Sequence, residues 1–235
     1  MKRINIDRVE LKGMSYFYDP ESIVFKDVNF VFKPGEILYL QGSRGAGKNT
    51  LIKLLLGLLP PTEGEYLINN IRVNDFSHKE FDPFRLNIGY SFDVGGLLNN
   101  QTIYENFRTL IDYHNFLDQH ERFDYITKML ERFELGNIKH LRPAFISSSA
   151  RKAASVLRAF TLKPGMLILN DPTQGLSAEH IPNLVELIKD HQRHHGLEHI
   201  IISSDDVGLI DKLKGRIVKV TSSGLLDEDQ IRSAG

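Results

Sequence analysis

The stretch "GSRGAGKNT", residues 42–50, lies between a strand-like run, "EILYLQ", and a helix-like run, "NTLIKLLLGLL". Few loops constrain a fold so tightly. Gly42, Gly45, Gly47 and Lys48 fall at the spacing G-x-x-x-x-G-K, and in a strand–loop–helix setting such glycines let successive backbone N–H groups turn toward one anion. The helix N-terminus adds the positive end of its dipole, and Lys48 carries a charge toward the outer phosphates. The motif predicts an α/β fold of the P-loop NTPase kind, with a phosphate cradle built from Gly42, Ser43, Gly45, Ala46, Gly47, Lys48 and Thr50. Its next position calls for a Ser or Thr hydroxyl on magnesium. Here it is Asn49, so phosphate binding is kept while metal ligation rests on an amide oxygen of different reach.

The rest of the chain supplies the layers such a loop needs. "RVELKGM", "VNFVFK" and "EYLINN" read as strands, and "GMLILN", "HIIISS" and "GRIVKV" are short apolar runs separated by helix-like segments, as a buried parallel sheet requires. From about residue 100 to 162 the pattern is helical, in "TIYENFRTLIDYH", "HERFDYITKMLERF" and "SARKAASVLRAFTL", with apolar residues three and four apart. The second of these stripes reads as packing. "HQRHHGLEH" sets His191 and His195 one helical turn apart, a spacing that could clasp a metal, but with no carboxylate or cysteine to complete a site it reads as a solvated helix end.

Composition closes off several classes of function. With 29 basic and 30 acidic residues the formal net charge is -1, so no global field draws the chain to nucleic acid or to anionic lipid. The chain has no cysteine, which excludes disulfides and thiolate metal sites and fits a reducing compartment. The N-terminus lacks the apolar run of a secretory signal, and "LIKLLLGLLPP" is too short to span a bilayer, so a cytoplasmic chain is expected, with any membrane role exercised through a partner.

On these runs the chain resembles the nucleotide-binding subunit of ABC transporters over almost its whole length. The match rests on "SYFYDP", "KPGEILYLQGSRGAGKNTL", "PPTEGEYLINN", "TIYENF", "ISSSARKAASVLRAF" with Arg158-Ala159, "LILNDPTQGLS" and "IIISSDD". Within the family, "GGLLNNQTIYENF" followed by "LIDYH" is most similar to ATPases of bacterial phospholipid-transport (Mce-associated) systems. The resemblance implies one ABC-type domain over residues 1–235, with an antiparallel β layer at its N-terminal edge and an inserted helical lobe over 94–162. It implies ATP or ADP as ligand, with Tyr18 stacked on the adenine and Ser147 in the signature that faces a second subunit. It also implies a homodimer or a heterodimer, peripheral to the inner face of the membrane, gripping a permease helix in the groove near Asp93 and "GGLLNNQ".

Against that pattern several positions depart, and the departures agree with one another. Asn170 stands where the resemblance puts a magnesium-holding Asp, and Asp171 where it puts the Glu that positions water; Asp93 replaces a Gln and Ser204 a switch His. Asn49, Asp93 and Asn170 are thus the weakened metal positions, and Asp171 the shortened base. Ser177 replaces an Asp, and Ser148, Ser149 and Ala150 replace Gly-Gly-Gln in the signature. A one-residue slip of the strand, which would make Asp171 the metal ligand, is opposed by the Pro172-Thr173-x-Gly175-Leu176 turn. Since one displaced acid–base or water-positioning group costs about 10²–10⁴ in rate, the expected function is an ATP-binding subunit with little or no hydrolysis. Two other readings stand beside it: a slow Mg-dependent ATPase energising lipid transport, and a P-loop kinase or phosphotransferase.

Overall fold

Burial on both faces identifies the central layer. In the strands β3 (Ile37–Gln41), β7 (Met166–Asn170) and β8 (His199–Ser203) nearly every side chain is inaccessible, as in a sheet covered on each side. The computed structural model describes residues 3–221 and 224–227, so the ends of the domain expected over 1–235 lie outside the described residues. The six-stranded sheet runs β10-β9-β3-β8-β7-β6, with β6 (Ile88–Ser91) and β9 (Arg216–Thr221) parallel to the centre and β10 (Gly224–Asp227) antiparallel at the edge. Leu40, Ser203 and Asn170 stand level across β3, β8 and β7.

A second sheet, β2-β1-β4-β5, is antiparallel: β1 (Val9–Phe17), β2 (Ile23–Phe32), β4 (Glu63–Ile68) and β5 (Ile71–Arg72). This is the antiparallel layer expected at the N-terminal edge of the domain. Its apolar face, the helix α1 (Lys48–Leu55) and Leu38, Leu40, Ile168 and Ile201 of the central sheet form one core cluster. The opposite face, Tyr39, Leu167, Leu169, Ile200 and Ile202, packs on the helices α3 (Ile103–His114), α4 (Gln119–Glu131), α5 (Ser148–Arg158), α6 (His180–His194) and α7 (Val207–Leu213). Alternate residues of one strand therefore serve two different cores.

Some boundaries differ from the sequence reading. The helix after the phosphate loop begins at Lys48 and ends at Leu55, because Gly57 takes a left-handed φ of 64° and any Cβ there would meet the Phe81 ring at 2.7 Å. Residues 94–102 carry no helix, and α3 starts only at Ile103, where Thr102 and Glu105 form a reciprocal capping box. The helices over 94–162 share their hydrophobic cluster with the central sheet instead of having one of their own. The helix α2 (His78–Arg85), capped by Ser77 and Glu80, carries Pro83 within it, and with β6 it escaped the periodicity reading.

The contact between β6 and α5 is close. A side chain on Gly89 would collide with the Ala159 carbonyl and approach Pro164 Cγ to 2.8 Å, both backbone-anchored. Gly89→Ala is expected to force α5 off the sheet edge and to cost about 1–3 kcal/mol, the usual range for overpacking. A urea midpoint equal to that of the unsubstituted chain would show that the gap relaxes without cost.

Candidate functional site

Because β3, β8, β7 and β6 are parallel, the loops that leave their carboxyl ends share one edge of the sheet, which is where open α/β sheets bind ligands. That edge collects Gly42–Thr50 after β3, Ser204 and Asp205 after β8, Asp171 after β7, and Phe92 and Asp93 after β6.

The phosphate loop has the backbone its glycines predict. Gly45 and Gly47 adopt φ of 87° and 98°, and a Cβ on Gly47 would lie 2.8 Å from Phe25 Cζ and Val24 Cγ1, so both conformation and space demand glycine. Gly47 is the N-cap of α1, and the Leu51 N–H donates to its carbonyl at 2.8 Å. Lys48 folds back, its ammonium donating to the carbonyls of Gly42 and Ser43. Ser43 and Gly45 are exposed, Ala46 half-buried. Thr50 is buried, and its hydroxyl is hydrogen-bonded to the Tyr18 phenol at 2.9 Å. Tyr18 itself is 58% exposed, while its neighbour Tyr16 is core and meets it edge to face at 5.1 Å. The two tyrosines thus divide: Tyr16 packs in the core, and Tyr18 leaves a ring face exposed beside the loop.

At the position of the expected metal, Asn170 and Asn49 meet directly: Asn170 Nδ2 donates to Asn49 Oδ1 at 3.0 Å. Asn170 is 3% exposed; its own Oδ1 has no hydrogen-bond partner of standard geometry, with the Tyr90 phenol as its neighbour. Asp93 is exposed and its Oδ1 accepts the Val94 N–H at 2.8 Å. Asp171 ends the strand in a left-handed conformation, φ 43°, and its N–H donates to the Ser203 carbonyl at 2.8 Å, so the register expected from the Pro172 turn holds. Burial raises the Asp171 carboxyl above the ordinary carboxylate range; Lys48 and Lys152 oppose this, and Asp205 and Asp93 reinforce it.

The remaining predicted residues are engaged locally. Ser147 caps α5, its Oγ accepting the Ala150 N–H at 3.1 Å. Ser149 accepts the Ser177 N–H at 2.9 Å, and Ser177 Oγ donates to Glu179 Oε1 at 2.7 Å. Ser204 is buried and accepts the Asp206 N–H at 3.1 Å. The histidine pair is corrected: His191 is 4% exposed, stacked edge-on against Phe160, with Nδ1 bonded to the Leu187 carbonyl, so it belongs to the core and not to a solvated end. Burial pushes its pKa down to about 4. Among the described residues no cluster of three or more His, Cys, Asp or Glu could hold a metal.

One residue of the site was missed by the sequence reading. Lys152 lies on the buried side of α5 beside Ala153 and four residues before Val156, and its ammonium donates to the carbonyls of Phe92 and Asp93 at 3.1 Å each and of Asn170 at 3.5 Å. A charge on an apolar stripe was the available signal.

Comparison with known proteins places this geometry. Residues 25–174 match the protein family described as ABC transporter. The chain is similar to the ABC transporter ATP-binding protein YtrE of Bacillus subtilis (strain 168), at 33% identity over 184 residues, 78% of this chain and 79% of that protein. It is also similar to the methionine import ATP-binding protein MetN of Rhizobium johnstonii, at 29% over 206 residues; this covers 88% of the chain but 56% of MetN, so the chain spans little more than half of that relative. Among solved structures it resembles the dimeric ATP-binding cassette MJ0796 in a post-hydrolysis state with ADP and Pi, with a TM-score of 0.82 at 24% identity over 92% of this chain and 96% of that one. A structure described as the ATP binding subunit of an ABC transporter gives 0.81 at 25%, over 97% and 92%.

The raised Asp171 pKa has a signed consequence. A carboxyl whose folded value lies above its unfolded value favours folding below the unfolded pKa, and that contribution is lost as pH rises through the folded one. Asp171→Asn, which tolerates the same left-handed backbone, is expected to melt higher than the unsubstituted chain near neutral pH, with the gap closing in acid. A difference in Tm that persists once Asp171 is protonated would contradict the sign.

Proposed function

This chain belongs to the ABC transporter ATP-binding family, and on that premise we propose that it binds nucleotide without a metal ion and hydrolyses it slowly or not at all. One observation carries the reading: the Asn170-to-Asn49 amide hydrogen bond. Mg²⁺ asks for near-octahedral oxygen ligands, commonly including one or two carboxylates. Here the two positions nearest the phosphate loop are neutral amides, Asn49 Oδ1 accepts the Asn170 amide N–H, and Asp93 Oδ1 accepts the Val94 N–H. At these two positions magnesium would meet neutral amide oxygens and no carboxylate. The phosphate side, by contrast, is intact in Gly45, Gly47 and Lys48, and Tyr18 offers an aromatic face for a base.

In this reading the chain's residues bind and orient. The loop N–H groups and Lys48 hold the phosphates, which requires Lys48 to leave the Gly42 and Ser43 carbonyls. Asp171, held at the strand end by the Ser203 carbonyl, is the group that would accept a proton from water; one methylene shorter than the Glu implied by the resemblance, it stands farther from that water. The work left to such a subunit is structural or regulatory, exercised on a permease. Near Asp93 a cavity of about 300 Å³ is lined by Val94, Leu97, Asn99, Arg151 and Gln174, and Val94 is 83% exposed beside it. An apolar tip over a partly charged cavity suits a permease's cytoplasmic helix.

A second reading, an active Mg-dependent ATPase driving transport, draws on the kept phosphate loop and on family membership; the similarity of "GGLLNNQTIYENF" to phospholipid-transport ATPases makes lipid the cargo class for that reading. A phosphotransferase of another P-loop family is set aside by the family match.

Fluorescent ATP titrated with and without Mg²⁺, with phosphate release followed in the same sample, separates the two readings. Binding of equal strength in both conditions, lost in Lys48→Ala and without steady release, is the expected outcome; Mg-dependent binding with release that Lys48→Ala abolishes would establish the second reading. For the docking surface, Val94→Glu is expected to abolish copurification with the cognate permease while leaving nucleotide binding unchanged, and retained copurification would rule that surface out.

A further inference from the structure

We propose that Lys152 is the resident cation of the nucleotide site, a tethered ammonium standing in the electrostatic place of a divalent ion; this rests on the metal-independent reading above. The position of the charge is unusual for a lysine. Lys152 is 8% exposed and its side chain runs from α5 into the carboxyl edge of the sheet, where its three N–H donors meet carbonyls from two different strand ends: Phe92 and Asp93 after β6, and Asn170 at the end of β7. These bonds satisfy the donors but leave the charge unpaired, and a buried ammonium is tolerated only where anions or strong dipoles face it. Burial lowers the Lys152 pKa from the ordinary lysine value, and the Asp171 and Asp93 carboxylates oppose that shift.

Lys152 offsets carboxylates that crowd one end of this edge. Around Asp171 stand two ammonium groups, Lys48 and Lys152, and two further carboxylates, Asp93 and Asp205. Within that set Lys152 and Lys48 make two positive charges against three negative ones, while Arg44 and Lys219 line the phosphate loop beside Asp205. In a metal-dependent site the ion offsets such carboxylates. Here Asn49 and Asn170 have bonded to each other, and the neighbouring cation is one the chain supplies itself. The Lys152 ammonium gives its N–H donors to the Phe92, Asp93 and Asn170 carbonyls, so it acts as a positioning residue through its field and through the strand ends it holds. A purely structural role, tying residues 92–93 to α5, would depend on hydrogen bonds and not on charge, and the two roles are separable.

The test is the affinity of the full chain for fluorescent ADP in EDTA and in Mg²⁺, with thermal melting alongside. Lys152→Gln keeps a hydrogen-bond donor and removes the charge, and is expected to weaken binding about tenfold to a hundredfold, as loss of a unit charge a few ångströms away through partly screened protein does. Lys152→Arg keeps the charge and should restore affinity to within a few-fold. Asp93→Asn removes an opposing carboxylate and should tighten binding several-fold, a gain that misfolding cannot imitate. If Lys152→Gln binds like the unsubstituted chain, or if it fails to fold and Asp93→Asn brings no tightening, the resident-cation proposal falls while metal-independent binding stands. If the unsubstituted chain binds only with Mg²⁺, or not at all, the underlying reading falls first.

Discussion

The level pairing of the parallel strands β3, β8 and β7 is the constraint on which the site depends. Leu40, Ser203 and Asn170 share one row, so the phosphate loop, Asp171 and Ser204 all begin at the same height on the sheet. Because both faces of these strands are apolar, hydrophobic burial alone would not strongly oppose a shift of β7 by one residue. What opposes it is the turn. Asp171 leaves the strand at φ 43° with its N–H on the Ser203 carbonyl, and Gly175 at φ 79° closes the turn behind Pro172. The backbone thereby determines that an amide, not a carboxylate, faces the phosphate loop.

The same edge is fastened to the helices by cations and amides acting on carbonyls. Lys152 holds Phe92 and Asp93, Arg158 donates to Gly96 at 3.2 Å, and the buried Asn106 brackets Leu98, accepting its N–H at 2.7 Å and donating to its carbonyl at 3.1 Å. Residues 92–98, which join β6 to the helical segment, are therefore shaped by α5 and α3. Since these helices share one hydrophobic cluster with the central sheet, any movement of the lobe relative to the sheet must repack close-fitted side chains.

Local features were the legible ones. The phosphate loop could be read because its glycines answer to the backbone of their own nine residues, and the long amphipathic helices because their stripes repeat several times. The antiparallel layer and the family emerged from extended matches such as "KPGEILYLQGSRGAGKNTL". What stayed hidden depends on partners far along the chain: Asn49 meets Asn170 across 121 positions, and Lys152 reaches Phe92 across 60. The substitutions at Asn49 and Asn170 could each be seen, but not that one had become the other's partner. β6, at four residues, is too short to establish a period, and Pro83 inside α2 argues locally against the helix that the Ser77–Glu80 capping box secures. His191 was misjudged because its sequence neighbours are polar while its spatial neighbour is Phe160.

Several of the positions that depart from the family pattern are bonded within this chain, while the buried Asn170 Oδ1 is left without a hydrogen-bond partner of standard geometry. Asn170 bonds Asn49, Ser149 receives the Ser177 N–H, Ser204 receives the Asp206 N–H, and Asp93 receives the Val94 N–H. Each internal bond contributes about 0.5–1.5 kcal/mol, so a ligand that must break several gives up a corresponding part of its own binding energy. The Tyr18 ring face is outside these bonds, whereas the phosphate loop has bonds of its own, the Ala46 N–H donating to the Ser43 carbonyl and Lys48 to those of Gly42 and Ser43. On the proposed reading, a ligand that relies on Asn49 and Asn170 gives up their mutual hydrogen bond, whereas one held by the phosphate loop and the Tyr18 ring does not.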